Sequence, residues 1–124
     1  MASQNEIGFR SFIASGAISA YKAVTIQSDG TITPSAGNAD IGVGITQQDI
    51  ADAGYGTVKL WTAPGTFLIQ ATGSAVTAGT AYAIVTGGFA AAVNGTFGPA
   101  KLQALQAGVA SNGITLEFAF KLPL

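Results

Sequence analysis

The chain has 124 residues, enough for one domain that buries roughly two thirds of its unfolded surface without metals or disulfides. It contains no Cys and no His, which removes disulfide frameworks, thiolate catalysis and Cys-based zinc sites, and leaves no imidazole to serve as a base. With a net charge of −1 and a pI near 4.9, the field that would draw a nucleic-acid backbone is missing, so no nucleic-acid partner is expected.

Residues 1–15, MASQNEIGFRSFIAS, mix polar residues with Ile7, Phe9, Phe12 and Ile13. They read as an extended arm, ordered when it finds a surface, ahead of a single β-barrel-like domain over residues 16–124. The arm carries no basic stretch followed by an apolar one, so no signal peptide is expected. Next come KAVTIQS, the pair Asp29-Gly30 and TITP; Asp-Gly between alternating β-formers is a strong hairpin signal. DIGVGIT (40–46) reads as a strand. TQQDIADAG (46–54) offers Thr46 as a cap, Asp49 three residues on and Gly54 as a stop, which predicts at most one short turn of helix.

GTVKLWT (56–62), TFLIQAT (66–72), AYAIVT (81–86), FAAAV (89–93) and GITLEFAF (113–120) are further strand candidates. Gly87-Gly88 forms the turn of a second hairpin, and Asn112-Gly113 launches the last strand. AKLQALQAGVAS (100–111) contains good helix formers, yet it reads as a strand with Leu102 and Ala104 on one face and Lys101, Gln103 and Leu105 on the other. AISAYKAVTI (17–26) and AVTAGTAYAI (75–84) echo one another and each leads into a Gly-containing turn. Short strands about ten residues apart predict an all-β barrel or sandwich. The longest apolar runs in the uncharged region, AYAIV and FAAAV, fall far short of the roughly 18 residues that a spanning helix needs, so no membrane partner is expected.

Candidate chemistry is sparse. Gly-Val-Gly (42–44) lacks the third glycine of a dinucleotide loop, where Gln47 stands, and reads as close backbone approach inside a strand. Asp40, Asp49 and Asp52 could be imagined as a hydrolytic or calcium-binding group, but their spacing is that of caps and turns. Glu117 reads as an outward or interface residue, and Asn94-Gly95-Thr96 as a turn. No catalytic, metal or cofactor-binding residue is predicted. Charged residues make up 9% of the chain, against about 25% in ordinary soluble domains, and residues 61–100 contain none. Part of such a surface is expected to be covered by other protein, with Ile7, Phe9, Phe12, Ile13 and Trp61 as the candidate partner interface.

Four stretches carry a family resemblance: Val-Thr-Ile-x-x-Asp-Gly-Thr-Ile (24–32), Ile-Gly-Val-Gly (41–44), Gly-Tyr-Gly-Thr-Val-Lys-Leu (54–60) and Val-Thr-Ala-Gly-Thr-Ala-Tyr (76–82). In these, over residues 16–120, the chain resembles the capsid cement, or head decoration, proteins of tailed bacteriophages. The resemblance implies a noncatalytic subunit on the outer capsid surface of the virion. It would bind the major capsid protein as a homotrimer and reinforce the mature shell. The arm before residue 16 and the Ala/Gln-rich stretch 100–107 depart from the family pattern. The alternative is a noncatalytic β-sandwich binding module, for carbohydrate or associated with a fibre.

Overall fold

The computed structural model describes residues 8–36, 42–63, 65–71, 78–79, 81–85, 87–92, 102–108 and 114–120. Among these the protein is all-β, with ten strands and no helix. The first five strands are β1 (Phe9–Ile13), β2 (Ala23–Ile26), β3 (Ile32–Pro34), β4 (Gly44–Thr46) and β5 (Tyr55–Leu60). They form one antiparallel sheet in the order β1-β5-β4-β2-β3. The two margins of this sheet curl towards each other and meet at a bridge between Ala14 and Ile32, where the Ser15 N–H donates to the Ile32 carbonyl at 2.8 Å. Pro34, which has no N–H to give, closes β3 on that margin, a place where a strand tolerates proline.

The other five strands are β6 (Phe67–Ala71), β7 (Ala81–Val85), β8 (Phe89–Ala92), β9 (Leu102–Ala104) and β10 (Ile114–Phe120), and they close into a barrel in the order β10-β6-β8-β7-β9. Every ladder is antiparallel except the single parallel contact between Ala71 of β6 and Ala90 of β8.

Period-two alternation sorts the side chains into two cores. Phe67, Ile69, Ala71, Tyr82, Ile84, Ala90, Leu102, Ala104, Leu116 and Phe118 fill the barrel, with Tyr82 and Phe118 edge to face at 5.4 Å. Phe12, Ala14, Ile18, Val24, Ile32, Ile50 and Val58 fill the curled sheet. The strand β2 belongs to both, and β4 reaches the barrel core through Ile45. Ala23 and Ile45, paired in register, turn to the barrel core, while Val24 turns to the sheet's own core.

Backbone bonds stitch the two layers together. Ala23 N–H donates to Gly88 O at 2.9 Å, Gly87 N–H to Ser35 O at 3.0 Å, and Gln70 N–H to Tyr21 O at 2.8 Å. Tyr21 itself is held at φ 62, in the left-handed region, and packs against the barrel core. Lys22, beside it, has its ammonium 3.9 Å from the centre of the Phe89 ring, and burial pushes its pKa below the usual lysine value.

Two expectations change in the structure. Residues 9–13 of the arm are an integral strand: β1 pairs with β5 from Phe9↔Lys59 to Ile13↔Tyr55, and Phe12 is a core residue at 6% exposure. The physical reason is that Phe12 and Ala14 alternate onto the same face as Val58, so the segment finds its surface within its own chain. Gly8 at its start, with φ +82, lies so close on Ala63 that a Cβ would sit 2.4 Å from the Ala63 Cα.

The predicted helical turn over 46–54 is an extended loop. Thr46 ends β4, and the loop runs antiparallel to residues 14–21, with reciprocal bonds of 2.8 Å between Ile18 and Ile50. The Asp29-Gly30 hairpin is a three-residue loop. Gly30, at φ +86, donates to Gln27 O at 2.9 Å, and Gln27 N–H donates to Thr31 O at 2.8 Å. The second hairpin repeats this, with Gly88 at φ +80 donating to Val85 O at 3.0 Å. The echo between the two sequence segments therefore reaches turn geometry. It does not reach burial, because Ile26 is exposed where Ile84 is enclosed.

Asp29 Oδ1 accepts from both the Thr31 hydroxyl and the Thr31 N–H, and these bonds hold its carboxyl below the usual aspartate pKa. A carboxyl depressed on folding adds stability that is present above its unfolded pKa and lost as pH falls through the lower folded value. Acid titration of thermal stability should therefore show a shallower acid limb in Asp29→Asn than in the wild type. Identical limbs would remove Asp29 from the account.

Candidate functional site

The carboxylates that sequence reasoning singled out act as backbone clasps. Asp49 Oδ1 accepts the Ala20 N–H at 2.8 Å and Asp52 Oδ1 accepts the Gly16 N–H at 2.9 Å. The two carboxylates reach Ala20 and Gly16 in antiparallel order, so both hold their loop against the facing segment. Thr46 joins them: its hydroxyl donates to Ser19 O at 2.8 Å and accepts the Lys22 N–H at 3.1 Å. Among the described residues no group of three Asp or Glu side chains converges. Asp40 and residues 94–96 lie outside the described residues. The Gly-Val-Gly segment is a place of close approach. A Cβ on Gly42 would lie 2.0 Å from Val24 O, and one on Gly44 2.2 Å from Lys59 O.

The candidate interface residues divide. Ile7 lies outside the described residues, Phe12 is in the core, and Ile13 is half-buried opposite Tyr55. Phe9 and Trp61 come to one place. Lys59, directly across from Phe9, has its ammonium 5.9 Å from the Phe9 ring centre and 4.7 Å from that of Phe67. Phe67 in turn packs on Trp61 with centroids 5.0 Å apart. Trp61 is half-buried and braces the barrel core, while Phe9 remains 37% exposed.

The elements around Lys59 explain why this place is open. On the sheet face that Ala23 and Ile45 turn to the barrel, the neighbours of Ile45 are Lys59 on β5 and then Phe9 on β1. The barrel covers this face over β2 and β4 and ends at Lys59, whose ammonium donates to Thr66 O at 2.5 Å. Beyond it Phe9, Ser11 and Ile13 stand opposite Lys59, Thr57 and Tyr55 as a shelf on which Phe9, Ser11 and Tyr55 are exposed, Tyr55 by 72%, and Ile13 is half-buried.

On the barrel side the same surface continues. The Thr66 hydroxyl donates to Glu117 Oε2, and Glu117 stands opposite Leu68 on β6. Leu105, whose N–H donates to Glu117 O at 2.9 Å, flanks it on the other side. Leu68 and Leu105 are 44% and 43% exposed. Four of the five large hydrophobic side chains most exposed among the described residues therefore lie on one surface, with Lys59 and Glu117 within it and Thr66 between them. Among the described residues its chemistry is that of contact: apolar area and two charges.

Sequence reasoning missed Tyr55, Leu68 and Lys59 here. The signal for Leu68 was present in TFLIQAT, since Phe67, Ile69 and Ala71 share a phase that puts Leu68 outside. Leu105 was already placed opposite the Leu102 and Ala104 face. The meeting of Lys59 with Thr66 depends on how sheet and barrel join, which no local pattern records.

No protein-family model matches the chain, and no curated protein matches it in sequence. Among solved structures it is similar to the head fiber gp8.5 N base in bacteriophage phi29, with a TM-score of 0.71 over 94% of this chain and 98% of that one. The two share one fold. Sequence identity is 15%, so the likeness is one of fold alone. It spans both layers described above.

Proposed function

We propose that this protein is a noncatalytic structural component of a bacteriophage virion, attached to the head. In this reading it binds the major capsid protein on the outer capsid surface as an oligomer, a homotrimer by the sequence resemblance, and stabilises the mature shell. The observation that carries it is the end-to-end fold likeness to a head-fiber base. Two properties support it: a chain with 9% charged residues, and a contact surface with exposed Phe9, Tyr55, Leu68 and Leu105. The fibre-associated module is the second reading, favoured because that neighbour is the base of a fiber. A base of this kind would join the head to a longer appendage.

Co-sedimentation with expanded and immature shells of the parent particle tests the proposal. Retention on expanded shells is the expected result, and electron microscopy should place the density on the outer surface. A protein that stays in the supernatant with both shells overturns it. Density that extends from the site as an appendage would favour the second reading.

A further inference from the structure

Lys59 and Glu117 occupy one surface, each bonded to Thr66 and neither to the other. Exposed Leu68 and Leu105 lie on either side of Glu117, and Phe9 lies across from Lys59. We propose that this surface is where a second copy of the chain docks, with Lys59 of one copy facing Glu117 of its neighbour.

Charge complementarity selects that occupant. Each copy carries one cation and one anion on the same patch, so a closed rotation that sets Lys59 of one copy against Glu117 of the next repeats that unlike pair at every contact. A net charge of −1 leaves little repulsion between copies. The apolar side chains supply the area to be desolvated, and the charges set the register. Both charged groups already hold a hydrogen bond to Thr66, so neither is stripped of all polar contact when the surface closes.

The inference rests on the oligomer reading above, but its test needs no capsid, so the two fail separately. Sedimentation velocity over a concentration series would compare the wild type with Glu117→Lys, Leu68→Ser and the double exchange Lys59→Glu with Glu117→Lys. The wild type should associate. Each single variant should associate at least about tenfold more weakly with unchanged far-ultraviolet dichroism, because like charges face each other or apolar area is lost. The double exchange should recover most of that loss.

Lys59 also packs over Phe9 and Phe67, so the exchanged protein's thermal unfolding is measured in parallel. Should it not fold, Leu68→Ser with Leu105→Ser takes its place, and loss of association is expected from that pair. A wild type that is monomeric at every concentration overturns the inference. So do single variants that associate like the wild type, or a folded double exchange that remains monomeric. Retention on capsids by a monomeric wild type would leave the attachment reading standing.

Discussion

Removal of residues 2–13 is expected to unfold the protein and not to release a tail. The truncation takes away β1, and with it the cover of Phe12 over Val58 and Ile32 and the whole β1–β5 ladder. Phe12→Ala alone should cost about 3–5 kcal/mol, the range for truncating a core phenylalanine. Against a total stability of about 5–15 kcal/mol this is a large share, and the thermal midpoint should fall by roughly 4 °C for each kcal/mol. Phe9→Ser is the control: the ring is 37% exposed, so its effect on folding should be far smaller than that of Phe12→Ala. Thermal unfolding of the three variants decides the matter. A truncated chain that melts cooperatively at the wild-type midpoint would return β1 to the status of a detachable arm.

Gly88→Ala should be the most damaging single-methyl change in either hairpin turn. Gly88 has φ +80, and a Cβ there would meet Ala23 O at 2.3 Å and Ala23 N at 2.9 Å, both backbone atoms that cannot turn aside. The residue also bonds Ala23 across the junction between sheet and barrel. Gly30 provides the comparison, since it ends the other hairpin loop at φ +86 with nothing within 4 Å of its would-be Cβ. Gly30→Ala should cost only the left-handed conformation, about 1–2 kcal/mol, whereas Gly88→Ala adds a backbone displacement and should exceed about 3 kcal/mol. Urea denaturation of the two variants measures the difference. Equal losses would show that the junction yields at no cost and that the clash has been overstated.

The parts of this fold that were legible from sequence are those whose information is local. Leu102 and Ala104 turn inward and Leu105 outward as the alternation of AKLQALQ predicts, and both glycine-ended hairpins form where the turn residues stand. What was not legible depends on partners distant in the chain. Thr46 and Asp49 carry the spacing of a helix cap, but a side-chain oxygen accepts any well-placed N–H. Asp49 finds the Ala20 N–H instead of one in its own loop.

The placement of β1 was hidden for a similar reason. Phe12 and Ala14 alternate as a strand should, yet nothing near them names β5, more than forty residues further on by the register Phe12↔Gly56, as their partner. Of the contact surface, Phe9 was visible because it is an aromatic in a polar segment. The arrangement of Lys59, Thr66 and Glu117 comes from three separate strands and loops, and it exists only once the barrel has been set against the sheet.

The wall formed by β2 and β4 has a consequence for solvent exchange. Local opening of the barrel leaves the sheet's own core packed behind Val24, and local opening of the sheet leaves the barrel packed over Ala23 and Ile45. Amide deuterons should therefore enter this wall last. Most other strands have one core to lose, so partial openings reach their amides, whereas the wall is reached only when both cores are lost together. Exchange at Val43 and Thr46, whose N–H groups bond to Val24 O and Lys22 O within this pair of strands, should accordingly track the stability of the entire molecule, and a substitution in either layer that lowers global stability should speed exchange at both sites by the same factor.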